Sequence, residues 1–254
     1  MYSIGVIALN TFRENLRDKI LYNLLLFAGL LIAASILLSS LSMGEQEKIV
    51  TDMGLAAINF IGVAIAVFVG IGLVSKEIER RTIYTIMARP ISRVRFLLGK
   101  YLGLVVTLFV NLSVMLLVFL STIWWSGGSI SVSLLQAVEL IFVELLVVTA
   151  LALLFSTFSS AMVSASMTMG LYVIGHLTPD LKGIAEKSQN EVATVLLTGI
   201  YYLCPNLEML NIKGQAAAGV SVSLAYQSMA TLYGLFYVGL LLALSCVIFY
   251  RRDF

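Results

Sequence analysis

The sequence predicts an all-α polytopic membrane protein. It comprises six transmembrane helices, an N-terminal interfacial helix, and a cytoplasmic helix between spans 2 and 3. Three observations lead there. Hydrophobic residues make up 60% of the 254 positions and charged residues only 12%, where a soluble domain is roughly a quarter charged. Such a chain cannot cover its own apolar surface in water. The apolar residues also fall into runs near the ~20 that a bilayer core requires. Finally, the basic residues collect in alternate connectors, as the positive-inside rule asks of cytoplasmic loops. The net charge of +2 is too small to indicate a nucleic-acid partner.

Residues 1–19 read as an amphipathic interfacial helix. Ile4, Ile7, Ala8, Phe12 and Leu16 recur at helical spacing, and Arg13, Glu14, Arg17 and Asp18 lie off that stripe. Such a helix lies flat in the membrane interface or packs on protein. Residues 20–254 form the six-span domain. The spans are predicted at about 20–41, 53–74, 96–125, 134–155, 160–177 and 228–250. Gly62, Gly70 and Gly72 in the second span allow close helix approach. Trp124 and Trp125 anchor the far end of the third. Ser156 to Ser159 is too short a link for a domain, so spans four and five form a hairpin. The longest non-spanning stretch, 178–226, holds Asp180, Lys182, Glu186, Lys187, Glu191, Glu208 and Lys213 and is placed outside.

Charge tests this topology. With both termini cytoplasmic, twelve of the sixteen basic residues fall inside, and only Lys48, Lys182, Lys187 and Lys213 fall outside. The expected location is the cytoplasmic (inner) membrane. No cleavable signal peptide is expected, because mixed charges precede the first apolar run and no small-residue cleavage site follows.

The densest charge cluster lies between two apolar spans, at 75–90. Lys76, Glu77, Glu79, Arg80 and Arg81 crowd its first half. Ile78, Ile83, Ile86 and Met87 can share one side, and Arg89 precedes Pro90, which stops a helix. This stretch is either a docking helix presented to a cytoplasmic partner or a basic loop that only sets topology.

Chemistry is sparse. No Gly-x4-Gly-Lys-Ser/Thr loop is present, so the chain does not bind ATP in that way itself. No Gly-x-Ser-x-Gly elbow and no metal-ligand spacing occurs. No cofactor is expected in the chain. Glu139 and Glu144 lie in the fourth span. Five residues on a helix is a rotation of about 140°, so the two carboxylates do not pair. A carboxyl as deep as Glu144 lines a translocation path or gate, or it pins the bundle by hydrogen bonding. Asn59 reads the same two ways, as an interhelical hydrogen bond or a substrate contact. His176, the only histidine, is a structural hydrogen-bond partner or, less economically, a catalyst. Met162, Met167 and Met169 lack a ligand spacing and read as apolar filler. Cys204 and Cys246 are expected near opposite faces, too far apart to bridge within one subunit.

Several segments in order carry a resemblance. They are Ala8 to Lys19, Lys76 to Ile83 continuing through Ala88 to Arg93, Glu144 to Ser156, Tyr172 to His176, Cys204 to Glu208, and the closing Arg251 to Phe254. Together the chain resembles the membrane subunit of type-2 ABC transporters. Within them it is similar to the permeases of multicopper-enzyme maturation, such as that serving nitrous oxide reductase. The resemblance implies that 75–90 is a coupling helix. Its Lys76, Glu77, Glu79, Arg80, Arg81 and Arg89 would contact an ATPase, with Ile83 and Ile86 packing beneath. It also implies two cytoplasmic ABC ATPase subunits that bind ATP and Mg, and a second permease copy or related chain. The implied role is a non-catalytic permease coupling ATP hydrolysis to transport. The alternatives are mechanical work on an extracytoplasmic partner, an intramembrane enzyme using Glu144 and His176, or a passive scaffold.

Overall fold

The computed structural model describes residues 2–39, 46–79, 92–187 and 191–251. Its elements are α1 (Tyr2–Leu16), α2 (Lys19–Ser39), α3 (Gln46–Glu79), α4 (Arg93–Trp125), α5 (Val132–Ser156) and α6 (Ala161–Lys187). Then come α7 (Glu191–Leu203), a 3-10 turn (Leu207–Leu210), α8 (Lys213–Ala217) and α9 (Leu224–Arg251). Serines cap two of the long helices: Ser92 accepts from the Arg95 amide and Ser131 from the Leu134 amide.

Among the described residues, four helices are long and apolar enough to cross a membrane: Gln46–Gly72 of α3, and α4, α5 and α9. A fifth candidate arises only if the pair Ile4–Leu16 and Leu21–Ser35, bent by 63°, is taken as one span. This corrects the six spans expected from the sequence. The span expected at 20–41 is the second limb of that bent pair. The interfacial helix expected at 1–19 is its first limb, packed along α4. The span expected at 160–177 belongs to α6, which carries Ser164, Ser166, Thr168, His176, Thr178, Asp180 and Lys182. These polar groups dilute its apolarity, and hydropathy decides what a bilayer accepts.

Nor does α6 stop where the sequence ended the span. Pro179 lies inside it. A proline has no amide for the carbonyl four residues back. That carbonyl, on Gly175, accepts instead from Thr178 Oγ1 at 2.9 Å, and Ile174 O accepts from the same hydroxyl at 3.0 Å. With this replacement the helix runs on to Lys187.

The core is built on α5. It is apolar on all sides, and such a helix belongs in an interior. Against it pack α3, α4, α6, α8, α9 and the 3-10 turn. Gly62 sets the approach of α3, since a Cβ there would lie 2.7 Å from Leu145 Cδ1. By contrast α9 buries one stripe, Ala230, Gly234, Val238, Leu241, Ser245 and Phe249, and turns Leu232 and Phe236 outward.

Two contacts define the ends of the bundle. Glu47 Oε1 accepts from Ser129 N and Ser129 Oγ, both at 2.8 Å, so the start of α3 meets the α4–α5 loop. At the opposite end Arg93 donates to the carbonyls of Phe249 and Tyr250 at 3.2 and 3.1 Å. Lys100, buried, reaches Glu14 on α1 at 3.7 Å. Arg93, Lys100, Arg251 and the charged end of α1 therefore share the end at which α3 finishes. There the Lys76, Glu77 and Glu79 backbone closes α3 as helix, but their side chains lie outside the described residues. So do Arg80, Arg81, Ile83, Ile86 and Arg89.

Candidate functional site

The fully buried carboxylate of Glu144, on α5, is the hub of the site. Ionisable groups this deep are costly unless paired and hydrogen-bonded. Glu144 has both. Asn59 Nδ2, from α3, donates to Glu144 Oε2 at 3.0 Å. His176 Nε2, from α6, meets Glu144 Oε1 at 3.0 Å. Tyr172 stands one turn before His176 on the same face, with the two rings edge to face at 4.8 Å. Its hydroxyl donates to Asn59 Oδ1 at 3.3 Å. That contact fixes the amide so that its NH₂ points at the carboxylate.

The chain of polar contacts continues outward. His176 Nδ1 meets Glu208 Oε2 at 3.0 Å. Glu208 sits on the 3-10 turn, and Asn211 Nδ2 donates to its two oxygens at 3.1 and 3.0 Å. Leu207 and Leu210 anchor the turn from below, both fully buried. The turn lies close to α6 because residue 175 is glycine. A Cβ there would meet Leu207 Cγ at 2.8 Å and the Pro205 carbonyl at 2.9 Å. Tyr233 on α9 holds the approach to the turn, its hydroxyl accepting from the Asn206 amide at 2.8 Å.

Four segments thus meet in one line, Asn59–Glu144–His176–Glu208. Burial works to lower the His176 pKa. The hydrogen bonds and charge of Glu144, with the Glu208 bond, outweigh it and hold the imidazole above its ordinary value, and Lys213 opposes them.

Glu139 lies apart from this line. It faces α9, accepting from Thr231 Oγ1 at 3.2 Å and from Gln227 Nε2. Met162, Met167 and Met169 are exposed, and no cluster of three metal-ligating side chains occurs among the described residues. Cys204 and Cys246 are free thiols. Glu208 is the site residue that spacing alone does not mark. It lies 32 positions from His176, in a stretch that holds six other charges. The available signal is the Tyr172–His176 pair, whose i,i+4 spacing places two polar rings on one helix face.

The family model described as "ABC-2 family transporter protein" matches residues 6–254. No curated protein matches the chain. The match is to the family as a whole and does not single out the multicopper-maturation permeases.

Proposed function

We propose, because this chain belongs to the ABC-2 family of transporter proteins, that it is the membrane-spanning subunit of an ATP-driven transporter. As a family member it is a permease and not an enzyme, and membership implies association with ABC ATPase subunits and membrane lipids. Two cytoplasmic ATPases bind ATP and Mg, and their closing and release drive a substrate across the cytoplasmic membrane. A second copy of the chain, or a related one, completes the pathway. The observation that carries this reading is the family match over residues 6–254.

The basic end of the bundle, with Arg93, Lys100 and Arg251, is the cytoplasmic one by the positive-inside rule. The connector between α3 and α4 leaves from that end and serves as the coupling segment. Lys76, Glu77, Glu79, Arg80, Arg81 and Arg89 contact the ATPase there, and Ile83 and Ile86 pack beneath. Glu144 and Asn59 act as gate residues, because they tie together α3, α5 and α6, helices that must shift for a path to open. A second reading, mechanical work on an extracytoplasmic partner, is favoured by one feature: the 3-10 turn, which lies between α7 and α8 and outside the four apolar helices, connects to Glu144 through Glu208 and His176. The narrower kinship with multicopper-maturation permeases rests only on the resemblance of segments spread along the chain, from Ala8–Lys19 to Arg251–Phe254.

The test is charge reversal at the coupling segment. The Arg80→Glu, Arg81→Glu double variant should insert and fold normally yet lose ATPase recruitment and transport. Unchanged recruitment and transport would remove the coupling role.

A further inference from the structure

Both ring nitrogens of His176 lie 3.0 Å from a carboxylate oxygen. A neutral imidazole offers one N–H and one lone pair, and an ionised carboxylate only accepts. With the ring neutral and both carboxylates ionised, one of the two contacts would set lone pair against lone pair. Both contacts are hydrogen bonds only when the three groups hold one more proton. It sits on the ring, as an imidazolium between two carboxylates, or on one of the carboxyls. The trio carries a net charge of −1 either way, so the count is independent of which atom holds the proton.

We propose that Glu144, His176 and Glu208 form a proton-binding site, and that the single proton it titrates fastens the 3-10 turn to the transmembrane core. The site is loaded from the Glu208 side, because side-chain exposure falls from 42% at Glu208 to 19% at His176 and 0% at Glu144. The groups facing it come from each neighbouring element. Asn59 of α3 donates to Glu144, Tyr172 of α6 meets the ring edge to face, Asn211 beside the turn donates to Glu208, and Lys213 of α8 repels positive charge on the ring. Tyr226 of α9, its hydroxyl donating to the Met209 carbonyl, lies within the field of Glu208. On α7, Tyr201 lies under Lys182 instead.

When the proton leaves to water through Glu208, the His176–Glu208 contact gives way. Glu208 can be solvated where it stands, whereas Glu144 cannot. The turn then loses its polar tie to α6, and Leu207 and Leu210 keep only their packing. No nucleotide or cargo takes part, so the site stands or falls apart from the transport reading.

Hydrogen exchange of the full chain in lipid nanodiscs tests this, with rates over residues 204–212 corrected for the intrinsic pH dependence of amide exchange. In the wild type the opening equilibrium of this segment should rise with pH by up to about tenfold per unit, the slope for one proton. Glu208→Gln should stay protected at every pH, because an amide both donates and accepts and needs no proton to bond the ring. Glu208→Ala should be open throughout. Protection of α5 in each variant shows that the fold is kept. Coincident corrected profiles for wild type and Glu208→Gln would overturn the proposal, as would wild-type protection in Glu208→Ala. If Glu208→Gln loses α5 protection, wild type against Glu208→Ala decides.

Discussion

His176 Nε2 lies 3.0 Å from Oε1 of Glu144, a carboxylate with no exposure to solvent. The contact joins α6 to α5 and satisfies a group that would otherwise be buried without its ring partner. Removing one member of a buried pair strands the other, which costs roughly 3–5 kcal/mol. His176→Ala should therefore destabilise the protein by about that much in denaturant unfolding from mixed micelles. Glu144→Gln should cost less, since an amide still offers an acceptor and adds a donor. A His176→Ala variant as stable as wild type would mean that the pair is not structural.

Gly175 should not tolerate a side chain. A Cβ there meets Leu207 and the carbonyl of Pro205, and a backbone atom does not swing aside as a side-chain tip does. Gly175→Ala should cost about 1–3 kcal/mol, the range for overpacking. It should also push the turn outward, which a loss of exchange protection at residues 207–210 would reveal.

Thr178 and Pro179 act as a unit. The Thr178 hydroxyl occupies the carbonyl that Pro179 leaves without an amide. Thr178→Val should cost about 1 kcal/mol through that lost hydrogen bond. Adding Pro179→Ala should return much of the loss, because the alanine amide can bond the same carbonyl. Double-mutant unfolding measures the coupling, and strictly additive effects would contradict it.

The polar partners of His176 set a direction for pH. Burial works against the charged ring, but the Glu144 and Glu208 bonds dominate and raise its pKa in the folded state. A raised histidine pKa contributes stability that is fully present below the unfolded imidazole value. It is lost as pH rises through the higher native value. The stability gap between wild type and His176→Gln should accordingly be widest on the acid side and narrow toward alkaline pH. A gap that widens with pH would reverse the assignment.

Much of the helical layout is legible in the sequence because oil and charge are segregated. The uncharged run from Tyr101 to Trp125 lies within one helix, Arg93–Trp125, and a continuous apolar pattern of that length has few other outcomes in a membrane. The number of crossings is not legible in the same way. At 160–177 the serines, threonines and His176 interrupt the pattern, and the limbs Ile4–Leu16 and Leu21–Ser35, which composition treats as an interfacial helix and a full span, form a pair bent by 63° that makes at most one crossing. The Thr178 hydroxyl serves the carbonyl that Pro179 leaves without an amide, a contact that no periodicity records. The site divides similarly. Glu144 and Asn59 stand out because polar groups are rare at their depth. Their junction with His176 and Glu208 is tertiary, made across helices far apart in the chain, and only the folded arrangement brings it together.

Association with an ATPase is the point on which the functional proposal turns, and one measurement addresses it most directly. The tagged chain should be drawn from native membranes in gentle detergent and the co-purifying proteins identified by mass spectrometry. An ATP-driven permease brings with it a P-loop ATPase in near-equal amount, and the Arg80→Glu, Arg81→Glu variant does not. Repeated recovery of the folded chain without any ATPase would contradict the proposal and leave the basic connector as a topology signal alone.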